Sequence, residues 1–546
     1  MKKLKFFLAL LGLMAFGLLC NPLSAQISAG GLPPSIQYQN MVKPIKAPYV
    51  AAVDFDVNKL RAEDAAVKAS GIAAPLRAAV IIPTEISMAK NGEWLISPNG
   101  QKVWQMTVEA PGALATMFYY DEFYIPEGGK LFIYNKERTQ VLGAYTSSTN
   151  PKGKEFATEL VAGDVMTLEY IAPEKSPNIQ RNALLGEGEG YQAVEDDASL
   201  PKIKISGIGY GYNHISIYPV AGQDFLQAGF GSSLSCQVNI RCSEGEDWVY
   251  QAKGVVRLYV RVGSQAGWCT GAIMNNTAQD YTPYLLSAFH CFDGSTEANL
   301  NQTIAYFHYE HDGCSNGTIE PEQKTMTGMQ MLVNIPISGG SDGALLQLNE
   351  SIPVEYNTYY NGWYRENIPA TSGVGIHHPS GDVKKIATYD VAPYSYTWSN
   401  ADGTGFTDAH WRLRFKLTTN GFSFTEGGSS GSPLFNQDGL VVGTLTGGPN
   451  TTCATAANNL SAYGKLWFHW DQHSDPTMHM KAYFDPLNTG VDRLAGLTAS
   501  GDSYIADFIA DRISIWASES ISFTNMSYNA TTYNWTFEDG TPLLLQ

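Results

Sequence analysis

Three short stretches of this 546-residue chain carry side chains suited to nucleophilic chemistry, and they follow the order His, Asp, Ser. The first is Leu286-Ser-Ala-Phe-His290-Cys291, an apolar run ending in histidine and cysteine. The second is Gly340-Ser-Asp342-Gly-Ala-Leu-Leu346, an aspartate entering an apolar run. The third is Gly427-Gly-Ser-Ser430-Gly-Ser-Pro-Leu434, followed by Gly439-Leu-Val-Val-Gly-Thr-Leu445. A serine hydroxyl is a weak nucleophile at neutral pH. It needs an imidazole to take its proton, and the imidazole needs an acceptor that fixes its tautomer and steadies its charged form. His290, Asp342 and Ser430 supply those three groups. The glycines before Ser430 let the backbone aim N–H groups inward, so the amides of Gly428 and Ser430 are predicted to form an oxyanion hole. An α/β-hydrolase elbow is excluded, because it reads G-x-S-x-G with the serine first, whereas Ser432 lies two residues after Ser430 and the His and Asp lie upstream.

The remaining histidines do not form a metal motif. His308 and His311 in Tyr306-Phe-His-Tyr-Glu-His311 are three apart and lack the H-E-x-x-H pattern, and His377 and His378 sit in a strand-like run. No metal or cofactor is predicted. Apart from Cys20, six cysteines (236, 242, 269, 291, 314 and 453) fall in one stretch with no C-x-x-C pair. In an exported chain an even set of this kind predicts three disulfides, with the pairing left open by spacing alone.

The elements around these residues are β-rich. Aromatics reach 12% and there are 53 glycines, a composition that favours strands and turns. Residues 1–25 read as a signal peptide. Lys2, Lys3 and Lys5 precede the apolar run Phe6–Leu19, and Leu23-Ser-Ala25 offers a cleavage site before Gln26. Cys20 raises lipid anchoring as an alternative, but Leu19 is bulkier than the small residue such processing prefers. Residues 26–230 hold no cysteine and contain alternating segments such as Gly129-Lys-Leu-Phe-Ile-Tyr134 and Asp164–Tyr170, which predict a β-sandwich-like unit. A polar linker is expected at about 176–202, around Gly186-Glu-Gly-Glu-Gly190 and Glu195-Asp-Asp197. Residues 231–495 carry many short strand-like runs with few helical ones. In 500–546, Ile521-Ser-Phe-Thr and Tyr533–Gly540 are similar to the first half of a PKD-type sandwich, which suggests that the natural chain continues past Gln546.

With these motifs in view, Cys236 to about residue 490 resembles bacterial lysyl endopeptidases of the trypsin superfamily. The shared features are Cys236-x5-Cys242, Cys269-Thr-Gly with Asn275-Asn-Thr, Tyr284 to Cys291, Ser341-Asp342, Gly375-Ile-His-His-Pro379, Gly428-Ser-Ser-Gly-Ser-Pro433, Gly447-Gly-Pro449 and Cys453. The resemblance implies an all-β protein with a chymotrypsin-like double β-barrel, its active site between the barrels. It also implies the pairings Cys236–Cys453, Cys242–Cys314 and Cys269–Cys291, a mature start near Gly231, and a prosegment over 26–230 that chaperones or masks the enzyme. Trp398 falls where the family places a tryptophan beside the histidine.

One position departs from that family. Lysyl endopeptidases hold an Asp two residues before a Tyr-Gly-basic tripeptide. Here the tripeptide is Tyr463-Gly-Lys465, the matching residue is Ser461, and residues 454–470 contain no Asp or Glu. The specificity pocket is expected at Gly447, Gly448 and Ser461, with Glu426 as an alternative carboxylate for a Lys side chain. An uncharged P1 residue is an equal expectation, since an ammonium in a desolvated pocket without a counter-charge costs several kcal/mol. Animal trypsins place an Asp immediately before the nucleophile to receive the freed N-terminus, and here that residue is Ser429.

The net charge of −17 argues against nucleic acid or an anionic membrane as partner, because phosphate contact needs clustered Lys and Arg. No stretch beyond the leader reads as a membrane span. The expected protein is a secreted, monomeric serine endopeptidase acting on proteins or peptides. A non-catalytic adhesion module built on a protease fold is the competing reading.

Overall fold

The computed structural model describes residues 28–38, 47–70, 73–173, 200–213, 231–315, 320–321, 324–398 and 405–499, with the strand pair 508–510 and 523–525. The predicted signal peptide, Cys20, most of the linker and the Tyr533–Gly540 segment lie outside the described residues.

The N-terminal unit is two β-sheets packed face to face. One contains Lys102–Glu109, Val165–Ile171, Lys130–Asn135 and Val141–Tyr145 as neighbours. The other contains Leu76–Ser87, Lys202–Gly211 and Ala115–Tyr124. Between them lies an apolar layer that includes Trp104, Phe118, Tyr120, Phe123, Leu131, Ile133, Leu168 and Ile205. The alternation read at Lys130–Tyr134 and Val165–Tyr170 corresponds to two adjacent antiparallel strands, with Leu168 opposite Ile133. Lys202–Gly211 begins where the linker expected at about 176–202 ends, and no strand is expected there. It is instead a central strand, flanked by Leu76–Ser87 and Ala115–Tyr124. Its Ser-Gly-Ile-Gly run looks turn-like, yet the glycines are needed because Met117, Tyr119 and Ile81 cross its face; a Cβ at Gly209 would lie 2.5 Å from Met117.

The cysteine-bearing region is two strongly bent antiparallel sheets. In the first, Lys324–Thr327, Ile304–Phe307, Val255–Val262, Gln265–Met274, Tyr284–Ala288, Gly343–Leu348 and Met329–Ile335 are successive neighbours. The two end strands run into each other through Gly328, which bonds to Thr303 and Asn349. The sheet therefore curls back on itself around a core of Val256, Leu258, Val260, Ile273, Leu285 and Leu346. In the second, Lys385–Tyr389, Gly373–His377, Pro433–Asn436, Val441–Gly447, Ser461–Lys465 and His410–Leu413 are successive neighbours. They enclose Tyr389, Trp411, Phe415, Leu434 and Tyr463. The protein is all-β in class, and among the described residues helices are confined to short connections and one longer helix, Val57–Ser70. Cysteines pair as Cys236–Cys453, Cys242–Cys314 and Cys269–Cys291.

The N-terminal unit is not a bead on a string. Its strand Leu76–Ser87 runs antiparallel to Gln265–Met274 of the first curled sheet, with Val80 opposite Gln265 and Leu76 opposite Trp268. A shared core joins the two, with Ala78, Ile81, Met117 and Tyr119 against Tyr259, Trp268, Tyr306 and Tyr309.

Candidate active site

Strand register brings the histidine and aspartate together. Tyr284–Ala288 pairs with Gly343–Leu348 so that Ala288 faces Gly343. The next residue of one chain and the preceding residue of the other are then neighbours, and the Phe289 amide donates to the Asp342 carbonyl at 3.0 Å. The chain tightens into a single turn at Phe289–Cys291, which swings the His290 ring over Asp342. One carboxylate oxygen of Asp342 accepts from the His290 amide at 2.8 Å, and the other lies 2.7 Å from Nδ1. Asp342 is fully buried and takes a left-handed φ of 61°, a conformation that costs a non-glycine residue energy and is held here by its surroundings. With Nδ1 committed to Asp342, Nε2 is the remaining nitrogen, and among the described residues it has no hydrogen-bond partner.

Ser430 comes from the second sheet. Its carbonyl accepts from the Thr270 amide at 2.8 Å, and the Thr270 hydroxyl donates to the Gly428 carbonyl at 2.9 Å. Thr270 follows Cys269, whose disulfide partner Cys291 follows His290. One covalent link therefore ties the strand under the serine loop to the turn that carries the histidine. Gly428 has φ of 89°, and a Cβ there would lie 2.9 Å from both the Gly381 amide nitrogen and the His378 carbonyl. Only glycine fits. In this conformation the amides of Gly428 and Ser430 donate to no group among the described residues, which leaves both available to a developing oxyanion.

The Ser430 loop is buttressed by His377, one of the two histidines of that strand-like run. His377 Nδ1 lies 2.8 Å from the Ser429 hydroxyl, and burial pushes its pKa down to about 3. Ser429, where animal trypsins carry an aspartate, is thus satisfied internally by a neutral imidazole. His308 and His311 do not meet a third ligand; among the described residues no group of three His, Cys, Asp or Glu side chains is arranged to hold a metal ion. A support missed in sequence is His469. Its Nδ1 lies 2.8 Å from Ser341 Oγ and its Nε2 3.0 Å from Thr444 Oγ1, with the ring against Gly343. It braces both residues flanking Asp342. Its place in Leu466-Trp-Phe-His-Trp470 gives no sequence signal beyond a polar residue in an apolar run.

The pocket residues fall on two sides of a question. Ser461 is buried, with its hydroxyl 2.9 Å from Thr425 Oγ1 and 2.7 Å from Asn459 Oδ1. Gly448 lies against Ser461, and Gly447 against the Trp398 ring. Glu426 lines the same cleft, but its carboxylate accepts from the Leu234 amide (3.1 Å), Gln237 Nε2 (2.6 Å) and Ser380 Oγ (3.0 Å). Burial raises its pKa, against the lowering effect of those donors and of Lys68.

The cleft that holds Ser430, Gly427, Gly447 and Gly448 also contains residues from the N-terminal unit, Lys68 and Ala73 to Arg77 among them, around a cavity of about 440 Å³. Leu76 approaches Gly427, and Asn450 on the pocket rim donates to the Lys68 carbonyl.

Residues 230–464 match the family model described as the lysyl endopeptidase C-terminal domain. A lysyl endopeptidase of Pseudomonas aeruginosa is 27% identical over 375 residues, covering 66% of this chain and 71% of the relative. Solved structures with similarity include the active form of the Rv3671c protease of M. tuberculosis, at 12% identity and TM-score 0.27 over 45% of this chain and 89% of that one. Another is the thermostable serine protease AL20 from an extremophilic microorganism, at 10% identity and TM-score 0.27 over 39% and 92%. The chain is a hydrolase, a serine endopeptidase similar to lysyl endopeptidases.

Proposed function

We propose that this endopeptidase cleaves peptide bonds through an acyl-enzyme formed on Ser430, with His290 as general base and Asp342 as its orienting partner. The observation that carries the reading is the His290–Asp342 pair, which occupies Nδ1 and leaves Nε2 without a partner among the described residues. Ser430 Oγ attacks the scissile carbonyl as its proton passes to His290 Nε2. The carbonyl oxygen takes up negative charge against the Gly428 and Ser430 amides. The imidazolium, steadied by Asp342, then protonates the departing amine. A water molecule repeats the sequence on the ester, and the acid product leaves. Ser430→Ala in the matured protein tests this; activity above about one percent of wild type would remove Ser430 from the nucleophile role, since loss of a triad serine costs on the order of 10⁶-fold.

The S1 pocket in this reading is uncharged at its base. Thr425, Ser461 and Asn459 exchange neutral hydrogen bonds there, and the Glu426 carboxylate is engaged by the 234–237 and Ser380 donors. Apolar or small P1 residues therefore compete with lysine.

The N-terminal unit acts as a mask. A chain running antiparallel beside a strand edge is how extended peptides dock on sheets, and Leu76 to Val80 takes that position on Trp268–Gln265. Residues 73–76 continue into the cleft, with Pro75 adjoining Leu76. Proline lacks the N–H of an ordinary peptide and restricts the residue before it, so this occupant is a poor substrate. The protein is read as exported from a bacterium, with its three disulfides formed outside the reducing cytosol.

A further inference from the structure

The carboxylate of Asp382 lies in the connection Pro379–Asp382 and has no solvent exposure. Oδ1 accepts from the Gly231 amide at 2.7 Å and the Val383 amide at 2.7 Å. Oδ2 accepts from the Ser233 amide at 3.3 Å and from the Ser233 hydroxyl. A buried carboxylate with this many donors is a built receptor for the chain that begins at residue 231, and Gly231 is the residue at which the masking unit would be cut away.

The same stretch stitches together the wall of the proposed oxyanion hole. The Ser232 hydroxyl donates to the Ser380 carbonyl at 3.0 Å, and the Leu234 amide donates to Glu426. The Ser380 amide donates to the Gly427 carbonyl at 2.7 Å, and Ser380 Oγ donates to Glu426. Gly428 rests directly on His378 and Gly381. Residues 231–234, 378–382 and 426–428 thus form one hydrogen-bonded block, in which the Ser429 side chain takes no part beyond its contacts with His377 and the Glu426 amide.

We propose that Asp382 receives the α-ammonium of Gly231 when the chain is cut after Phe230, and that this ion pair makes Asp382 a positioning residue for the Gly427–Gly428 segment. The proposal rests on the maturation reading above. Hydrolysis consumes one water, breaks the Phe230–Gly231 C–N bond, and leaves a carboxylate on Phe230 and an ammonium on Gly231. The nitrogen already sits at hydrogen-bond distance, so cutting converts an amide donor into a cation beside a buried anion without moving it. A charge-assisted bond is roughly twice as strong as its neutral counterpart. The surrounding charges are few. Lys385 Nζ is 3.9 Å from Oδ2 on the adjoining strand, and Glu426 belongs to the nucleophile loop. The Arg257 guanidinium ends on the Gly381 carbonyl at 2.9 Å. The His378 ring faces the Asp382 carbonyl at 2.9 Å, and beyond it Lys384 is paired with Glu310 at 2.9 Å. Of these only the new α-amine has an ordinary pKa in the neutral to mildly alkaline range, about 7.7–8.0, and a carboxylate neighbour raises it. The ion pair is present below that raised value and lost as pH climbs through it.

The test uses the full chain with residues 226–230 replaced by an enteropeptidase site, Asp-Asp-Asp-Asp-Lys, in two forms. One is cut to begin at Gly231, the other carries one extra Ala before it. Both retain a Gly231 nitrogen that can donate to Asp382, but only the first can place a cation there. The expected result is a kcat lower by at least about tenfold in the Ala-extended form with KM within about twofold, the scale of one charge-assisted bond. The alkaline fall in kcat/KM expected with the Gly231 start should also disappear. Asp382→Asn should reproduce that loss, with no further loss when combined with the extension. Equal kcat and equal pH profiles for the two cut forms would overturn the role of Asp382, whether or not Asp382→Asn folds. N-terminal sequencing of naturally matured enzyme separates this from the maturation reading, which a start elsewhere than Gly231 would sink.

Discussion

At the scale of single residues, the division of labour follows from what each side chain has left to offer. His290 has one nitrogen committed to Asp342 and one open, and His290→Ala is expected to lower kcat about as severely as Ser430→Ala, because the set acts as a unit. Steady-state kinetics on purified, matured protein checks this; a His290→Ala variant within about tenfold of wild type would contradict it. Ser461 carries the specificity argument. Replacing it with Asp puts a carboxylate beside Thr425 and Asn459, where a Lys ammonium gains a charge-assisted partner typically worth about 1.5–3 kcal/mol, or about 10- to 150-fold in kcat/KM. A P1 peptide library should show cleavage after Lys rising by at least about tenfold in Ser461→Asp. No change, in an enzyme that already cuts almost only after Lys, would refute the neutral pocket. The residues legible in sequence were those whose chemistry forces a local pattern, namely His290 before its cysteine, Asp342 before its strand and the glycines ahead of Ser430. Glu426 shows the limit. Its position in the chain placed it near the pocket, but only its partners Leu234, Gln237 and Ser380 reveal where its charge is directed.

At the scale of elements, strand register and disulfides do the positioning. The Ala288–Gly343 pairing sets the His–Asp contact, and Cys269–Cys291 fixes the strand beneath Ser430 to the His290 turn. Removing that disulfide by a paired Cys→Ser exchange should cost about 2–4 kcal/mol of stability, read as a lower denaturation midpoint. Peptide mapping without reduction should return the three pairings seen here, and free thiols at these cysteines would contradict them. The buried histidines make a second element-scale prediction. Burial depresses His377, His410 and His469 to about 3 from the usual 6.5. Between these values the unfolded chain binds protons that the folded one does not. The stabilisation they give is therefore complete above about pH 6.5 and is lost as pH falls toward 3, by up to about 1.4 kcal/mol per pH unit for each histidine. Urea midpoints at pH 7.5 and pH 5 test the sign; an unchanged or higher midpoint at pH 5 would show that these imidazoles are not buried neutral. Sequence alternation identified strands such as Val165–Ile171, whose two faces differ, but missed Lys202–Gly211. Its glycines serve close packing against Met117 and Tyr119, and in a linear sequence close packing and a turn look alike.

At the scale of the whole molecule, the N-terminal unit and the protease share a core and a strand pairing that no local pattern announces, because Leu76–Ser87 and Gln265–Met274 lie far apart in sequence and each reads only as a strand. Arg77 braces the N-terminal unit from within. Its guanidinium bonds to Asp64 at 2.6 Å, Glu63 at 3.1 Å and the Leu60 carbonyl at 2.9 Å, holding the helix Val57–Ser70 beside the strand that enters the cleft. The central claim is that Ser430 is an activated nucleophile once this mask is gone. Its most direct test is labelling by a fluorophosphonate probe, followed by peptide mapping, on the full chain before and after maturation. The predicted result is weak labelling of the uncut chain, strong labelling after cutting, and the adduct confined to the Ser430 peptide. An absence of labelling in the matured protein, or an adduct on another serine, would contradict the account.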